Sequence, residues 1–180
     1  RGARSRPCGD DRVGGGHEAG DLARAARCTD GEVVRDPAVL EACLRYDIHA
    51  VNDIGGLSDP RYAGVLKDSG LPAILMASRE VPGDAIGLQA TLDTLQLVVT
   101  RCMEYDLDDY ILDPGIGKWV PGRTGRDDWE LVRHFGEFLS FGRPLLAAVS
   151  RKTFIGEILG RGPDDRLAGS LAVTLLLALE

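Results

Sequence analysis

Short apolar runs alternate with longer amphipathic segments from about residue 36 to residue 180. Unbroken apolar runs of this length are typical of strands that are covered on both faces. Between them, apolar residues recur at the spacing of one helix face, which predicts helices. An order of strand, helix, strand, helix indicates a parallel sheet with crossover helices. The predicted strands cover residues 48–51, 73–76, 110–112 and 145–149.

Helix boundaries are marked by turn chemistry. Asp36-Pro37 and Asp59-Pro60 each combine an N-cap aspartate with a proline in the first helical turn, and Gly70 is a suitable end for the second of these helices. Later helices are predicted over 88–102, through Leu131 to Phe138, over 154–159, and from Pro163 to the end of the sequence. Each predicted strand is therefore followed by at least one helix.

Two architectures agree with this order, an open doubly wound sheet and a (β/α)8 barrel. No G-x-G-x-x-G follows the first strand, which weakens the dinucleotide-binding version of the open sheet. A complete barrel takes about 250 residues and eight strands, so four strands predict part of a (β/α)8 TIM barrel. Residues 1–35 are rich in Gly, Arg and Asp and are predicted to be irregular, which leaves 36–180 as the barrel domain.

The composition of the chain limits the classes of binding partner. The formal net charge is −7 and aromatic residues make up 6% of the chain, which disfavours nucleic acid and anionic membranes, since both need a basic face. The four cysteines show no C-x-x-C spacing, so free thiols in a reducing, cytoplasmic compartment are expected. The apolar run 167–179 is shorter than the roughly 20 residues of a membrane span.

Polar residues stand where the apolar runs end. Ligands bind at the carboxyl ends of parallel strands in both architectures. A polar residue at the end of a strand could, by itself, simply cap a turn or a helix. Together, a carboxylate, an amide and a lysine suit a flat ring with a polar edge, and pterins, purines and pyrimidines all meet that description. The strand ends carry Asn52-Asp53, Met76, Asp113 and Ser150-Arg151-Lys152.

Five motifs resemble dihydropteroate synthases, in order and with fitting spacing over residues 37–180. They are V-N-D-I at 51–54, L-P-A-I-L-M at 71–76, I-L-D-P-G-I-G-K at 111–118, P-L-L with S-R-K at 144–152, and R-L-A-G-S-L-A at 166–172. The D-P-G-x-G and S-R-K elements together are specific, because pterin-dependent methyltransferases generally lack S-R-K. Lys118-Trp119 after D-P-G-I-G resembles an archaeal-type branch of the family.

The resemblance implies a set of site residues. Asn52 and Asp113 would bind the pyrimidine edge of a pterin, and Met76 and Gly117 would line its pocket. Lys152 would contact the pterin, border the aminobenzoate site and serve as the catalytic residue. The full substrate-binding set implied in this way is Asn52, Met76, Asp113, Gly117, Ser150, Arg151 and Lys152.

The resemblance also implies a reaction. A dihydropterin-methyl diphosphate would condense with p-aminobenzoate to give dihydropteroate for folate biosynthesis, with Ser150 binding the aminobenzoate carboxylate and Mg²⁺ accompanying the diphosphate. A homodimer through the late apolar helix, 171–179, is a further expectation from the family. Two alternatives stay open: a pterin-binding remnant without turnover, and a pterin-dependent methyltransferase-like domain. A nucleotide-binding open sheet is a third.

Several family motifs are altered. The asparagine motif that holds the metal is absent, and the V-D-T strand end expected near Val33 reads E-V-V-R-D. The R-x-H element that helps bind phosphate is also absent. These departures indicate barrel strands one to three and eight that are missing or damaged. A chain truncated at both ends or disturbed in frame is the explanation we favour, and a natural short relative with another role is the alternative. We therefore expect little or no turnover from the chain alone.

Overall fold

The computed structural model describes residues 36–180, so the predicted irregular segment 1–35 lies outside the described residues. Three strands form one parallel sheet in the order β1, β2, β3: Val51–Asp53, Ala73–Met76 and Tyr110–Asp113. Within residues 36–180, six α-helices and two 3-10 helices lie before, between and after the strands. The α-helices α1 to α6 are Pro37–Cys43, Pro60–Ser69, Leu88–Glu104, Gly125–Arg133, Thr153–Leu159 and Leu167–Ala178, and the 3-10 helices are Phe135–Phe141 and Pro163–Asp165.

Both predicted aspartate caps are confirmed. The Asp36 carboxylate accepts a hydrogen bond from the backbone N–H of Ala38 at 2.8 Å, and Asp59 accepts one from Arg61 at 2.8 Å. Gly70 ends α2 in the left-handed conformation, with φ +63°. These local interactions satisfy backbone groups that a helix end leaves unpaired, which is why the sequence alone indicated them.

The outer strands differ from the prediction. β1 covers Val51–Asp53 rather than 48–51, because hydrogen bonding to β2 begins only at Val51, whose N–H donates to the carbonyl of Pro72 at 2.9 Å. The predicted fourth strand, 145–149, is reduced to a parallel bridge between Leu112 and Leu145. The backbone hydrogen bonds between this run and β3 are those that join Leu112 to residues 144 and 146. Residues 145–149 therefore have the composition of a strand but form no extended ladder.

A single hydrophobic core lies between the sheet and the helices. Leu75 and Leu112 at the sheet pack with Leu95 of α3, Leu131 of α4 and Phe154 of α5, and all five side chains are fully buried. The helices therefore cover one face of the sheet, while the carboxyl ends of the strands face the loops that carry the polar residues. Within residues 36–180, no helix is both long and apolar enough to cross a membrane.

Candidate functional site

The strand register places three predicted site residues on one face of the sheet. Asn52 lies opposite Ile74, and Ile74 lies opposite Ile111. Met76 and Asp113 are paired two positions further along the same strands. Because side chains alternate between faces, residues two apart share a face. Asn52, Met76 and Asp113 therefore project from the same face at the carboxyl end of the sheet.

Asp113 is a buried carboxylate at the end of β3. Its side chain is 6% exposed, and its Oδ1 accepts a hydrogen bond from the backbone N–H of Gly115 at 2.8 Å. Burial raises the pKa of Asp113, while the Gly115 N–H and the positive charges of Lys152 and Arg123 oppose that rise. A buried carboxylate in this position is costly without further donors, which suits recognition of N–H groups on a ligand.

Lys152 interacts electrostatically with Asp113 and lies against the loop after β3. A Cβ atom added to Gly117 would lie 3.0 Å from the Lys152 Nζ, so the absence of a side chain at Gly117 makes room for the ammonium group. Gly117 has φ +143°, a conformation that favours glycine. Nζ also lies 5.2 Å from the centroid of the Trp119 ring, within the range of a cation–π contact.

Met76 completes this group of side chains. It is fully buried, and a Cβ atom at Gly115 would lie 3.0 Å from its Cγ. The indole N–H of Trp119 donates to the carbonyl of Gly115 at 2.9 Å, which holds the loop over Met76. We call Met76, Asp113, Gly117 and Lys152 the rim cluster; these four of the predicted site residues are linked through neighbouring contacts and charges.

The charge state of Lys152 is set by its surroundings. Burial lowers the pKa of Lys152, and the carboxylates of Asp113 and Asp128 oppose that lowering, whereas Arg123 adds to it. Lys152 is only partly buried, and its helix-capping position at the start of α5 leaves the ammonium group at the rim. Such a lysine can donate hydrogen bonds to a ring carbonyl or nitrogen.

A buried ion pair lies behind the loop of Gly117. Arg123 Nε is 2.9 Å from Asp128 Oδ1, and each side chain is 1% exposed. Sequence reasoning missed this pair, as it missed Trp119, because the charges stand near a helix start, where capping is the ordinary explanation. One signal was available: Asp128 lies three and four positions before Leu131 and Val132, on the apolar stripe of α4.

The loop after β2 packs against the loop after β3. Asp84 accepts hydrogen bonds from the backbone N–H groups of Arg79, Glu80 and Val81 at 2.9–3.1 Å, which closes the loop on itself. At Gly83, with φ +66°, an added Cβ atom would clash with the Cβ of Trp119. The approach of the two loops therefore depends on glycine, and it holds Trp119 beside the rim cluster.

Ser150 and Arg151 stand apart from the rim cluster. Both are exposed. The Arg151 backbone, at φ +54°, donates to the Ser170 hydroxyl at 2.7 Å, and its carbonyl accepts from Arg166 at 3.1 Å. These contacts run to α6 and its approach rather than toward Asp113. Substrate-binding roles for Ser150 and Arg151 stay predictions.

Asp53, the neighbour of Asn52, has a local role. Its two carboxylate oxygens accept hydrogen bonds from the backbone N–H groups of Gly55 and Leu57, each at 2.7 Å, and its side chain is 1% exposed. It thus stabilises the turn before Gly55, as the sequence suggested. Asn52 is exposed on the opposite face of β1, the face of Met76 and Asp113.

The metal expected from the resemblance finds no ligand set in the part of the chain that the structure describes. Within residues 36–180, no group of three or more His, Cys, Asp or Glu side chains could hold a metal ion. Asp113 faces Lys152 and Asp128 is paired with Arg123, so the buried carboxylates nearest the rim cluster have cationic partners. The described residues alone therefore do not fit a protein-bound Mg²⁺.

The chain is similar in sequence and in structure to known dihydropteroate synthases. Dihydropteroate synthase of Escherichia coli K12 is 31% identical over 153 residues, covering 80% of this chain and 53% of that protein. Dihydropteroate synthase of Coxiella burnetii in complex with pteroic acid matches in structure with a TM-score of 0.72 and 26% identity, over 80% of this chain and 55% of that one. The Xanthomonas albilineans enzyme with 4-aminobenzoic acid matches with a TM-score of 0.67 and 31% identity, over 81% and 54%.

These matches confirm the predicted fold class, an α/β structure that forms part of a (β/α)8 barrel. The chain spans about half the length of these relatives. The family described as pterin binding enzyme matches residues 35–180, which includes the sheet, every member of the rim cluster and Asn52. The chain belongs to the pterin binding enzyme family.

Proposed function

We propose that this chain takes part in the condensation of a dihydropterin-methyl diphosphate with p-aminobenzoate to form dihydropteroate, the transferase reaction of folate biosynthesis. The observation that carries the proposal is the rim cluster itself. Lys152 and Asp113 act on each other electrostatically at the carboxyl end of the sheet, beside the buried Met76 and on the face of Asn52. The relatives are named for this reaction, and two are described with pteroic acid or 4-aminobenzoic acid.

Pterin recognition follows from the chemistry of these groups. The Asp113 carboxylate would accept two parallel N–H bonds from the pyrimidine edge, an arrangement with strong charge assistance. Asn52 would offer one donor and one acceptor to the same edge. Met76, buried below the Gly115 loop, would form the apolar floor against the ring face.

The proposed reaction forms one bond and breaks another. The aniline nitrogen of p-aminobenzoate attacks the methylene carbon of the pterin, and the carbon–oxygen bond to diphosphate breaks, so diphosphate leaves with the bonding electron pair. The aniline nitrogen loses its proton to water. Lys152 would orient the pterin and border the aminobenzoate, and the predicted contribution of Ser150 is to bind the carboxylate of that second substrate. The protein's part is positioning and electrostatics.

Mg²⁺ enters this proposal only as part of the diphosphate substrate. The described residues do not supply a ligand set for it, so no step above is assigned to it. Cytoplasmic location and a homodimer through α6 stay proposals as well. Exposed leucines on that helix, Leu171, Leu175 and Leu176, at 54–62% exposure, support an apolar contact there.

The test combines binding with turnover. Isothermal titration calorimetry of the chain with pteroic acid is expected to show saturable binding, and dihydropteroate formation from the two substrates is followed by chromatography. Binding with turnover supports the condensation, and binding without turnover supports the pterin-binding remnant. Absence of binding at millimolar pteroic acid contradicts both.

A matched pair of variants locates the site. Lys152→Met removes the ammonium group at the rim, whereas Lys67→Met removes one at an exposed ion pair with Asp106, 2.7 Å long and far along the chain. We expect pteroic acid affinity to fall about 10- to 100-fold in the first variant, since a lost hydrogen bond to a charged group is worth about 1.5–3 kcal/mol. Lys67→Met is expected to bind as the unaltered chain does.

A methyl-transfer function is the second candidate, and nothing observed favours it. The relatives reported above are named dihydropteroate synthases, and the S-R-K element at 150–152 separates the two groups at the sequence level. A nucleotide-binding open sheet is disfavoured by the family match over residues 35–180. Competition of pteroic acid binding by a purine nucleotide would reopen that alternative.

A further inference from the structure

The buried ion pair between Arg123 and Asp128 is expensive to maintain. Both side chains are 1% exposed, and the Arg123 Nη2 has no hydrogen-bond partner among residues 36–180. The free energy needed to remove two charges from water often exceeds the free energy gained from their attraction. A buried ion pair is therefore weak evidence for stability. The contacts of the pair with the surrounding loops indicate a role other than stability.

The pair ties two loops together. The Asp128 Oδ1 accepts hydrogen bonds from both Arg123 Nε and the backbone N–H of Gly117, each at 2.9 Å. The Arg123 Nη1 donates to the carbonyl of Ala85 at 3.0 Å. Gly117 belongs to the loop after β3, and Ala85 belongs to the segment between β2 and α3. The position of the Gly117 backbone thus depends directly on the Asp128 carboxylate.

Gly117 in turn lies against Lys152. Its missing Cβ would come within 3.0 Å of Nζ and 3.4 Å of Cδ, so a small displacement of this backbone would move the ammonium group. The charged groups that act on Lys152 come from three elements: Asp113 from β3, Asp128 from α4, and Arg123 from the segment before α4. With Lys152 they form two positive and two negative groups at one rim.

We infer that the Arg123–Asp128 pair is a positioning element of the candidate site, which holds the Gly117 backbone so that the Lys152 ammonium group stays at the rim beside Asp113. Neither residue is proposed to touch substrate. The inference takes the identity of the ligand from the proposed function, but the arrangement of Gly117 and Lys152 is a property of the chain itself and is tested without a ligand.

The decisive variant replaces the whole pair. In R123M/D128L both charges are exchanged for apolar side chains of comparable size, a change that buried ion pairs often tolerate. We expect a folded chain by circular dichroism and urea unfolding, with a Kd for pteroic acid raised about tenfold because the Gly117 N–H loses its acceptor. The control is R61M/E41Q, which removes the exposed pair between α1 and α2, 3.4 Å apart; its Kd is expected to be unchanged.

A second readout follows Lys152 alone. The chain has three lysines, Lys67, Lys118 and Lys152. Reductive 13C-methylation gives each of them an NMR signal, beside that of the α-amino group, and pH titrations of these signals report each ammonium group. Asp128→Asn removes a negative charge and is expected to lower the pKa of Lys152. Arg123→Met removes a positive charge and is expected to raise it. Charge alone accounts for these two signs, so the position of the ammonium group is read from R123M/D128L, which removes one charge of each sign. A change in the Lys152 titration in that variant, with the Lys67 titration unchanged, reports displacement of the ammonium group.

The outcomes distinguish failure of the ion-pair inference from failure of the proposed function. Unchanged pteroic acid affinity in a folded R123M/D128L chain overturns the inference, and so does an unfolded double variant, because a positioning role predicts that the fold survives. If the unaltered chain does not bind pteroic acid, the proposed function fails, while the Lys152 titrations still judge the ion pair. A changed Lys152 titration in a folded R123M/D128L chain supports the inference, with or without a measurable ligand affinity.

Discussion

Two strand ends of this protein carry the same local sequence pattern and use it differently. Asp53 at the end of β1 and Asp113 at the end of β3 are each followed two residues later by a glycine. In both turns the carboxylate accepts a hydrogen bond from that glycine's backbone N–H, at 2.7 Å and 2.8 Å. Both side chains are buried. By local sequence and local geometry the two aspartates are nearly alike.

The difference is one position of register. Asp53 lies opposite Leu75, whereas Asp113 lies opposite Met76, so the two carboxylates project from opposite faces of the sheet. Asp53 uses its second oxygen for the backbone N–H of Leu57, which has φ +58°. Asp113 faces Lys152 instead. One aspartate thus maintains its own loop, and the other is available to the site.

The largest expected effect is on stability, and it falls on Asp53. In Asp53→Asn one oxygen becomes an NH2 group that meets a backbone N–H donor, because both oxygens are already accepting. We expect the free energy of unfolding to fall by about 2–3 kcal/mol, the cost of a buried donor without an acceptor. Urea unfolding followed by circular dichroism measures it.

Asp113→Asn is the matched control for stability. The asparagine oxygen can keep the hydrogen bond from Gly115, and the change removes a buried negative charge. A change in unfolding free energy below about 1 kcal/mol is expected. Equal losses in the two variants would show that register does not separate the roles of these aspartates.

The second largest expected effect is on ligand binding, and here Asp113 rather than Asp53 is the sensitive position. Asp113→Asn is expected to weaken pteroic acid binding about tenfold, since two charge-assisted hydrogen bonds to the ligand would become neutral or be lost. Asp53→Asn, under conditions where it stays folded, is expected to bind within a factor of about two, because its carboxylate faces away from the rim cluster. Calorimetry with both variants at one temperature gives the comparison.

The smallest effect concerns the charge of Lys152. The Asp113 carboxylate raises the pKa of Lys152 against the lowering caused by burial. Asp113→Asn is therefore expected to lower that pKa further, with the ammonium group losing its proton at lower pH than in the unaltered chain. NMR titration of 13C-methylated lysine measures the shift. Asp53→Asn serves as control, and a shift of similar size there would argue against a specific Asp113–Lys152 interaction.

The success of sequence reasoning varied with how local the determinants were. The prediction of strand 73–76 matches β2 to the residue, because β2 is the central strand and three of its four positions are paired on both sides. The runs 48–51 and 145–149 were misplaced or overextended. Their apolar composition is that of strands, but the extent of an outer strand depends on which residues find a hydrogen-bonding partner, and composition does not report that.

For the candidate site as well, the structure brings some of the predicted residues together and leaves others apart. The motifs led to Asn52, Met76, Asp113, Gly117 and Lys152, and the described structure links the last four through contacts and charges. The same motifs also contain Ser150, which is exposed, and Arg151, which is exposed and whose backbone N–H donates to Ser170 of α6. Adjacency in a motif is therefore a weaker guide to a shared site than position relative to the sheet.

By itself the sequence determined the order of elements, the helix caps at Asp36 and Asp59, and the residue types available at the strand ends, since these depend on neighbours within a few positions along the chain. Only the tertiary structure decided that Asp53 turns away while Asp113 faces Lys152, and that Asp128 reaches the backbone of Gly117. Strand register and the packing of one loop on another join residues that are distant in sequence, so no local pattern encodes them.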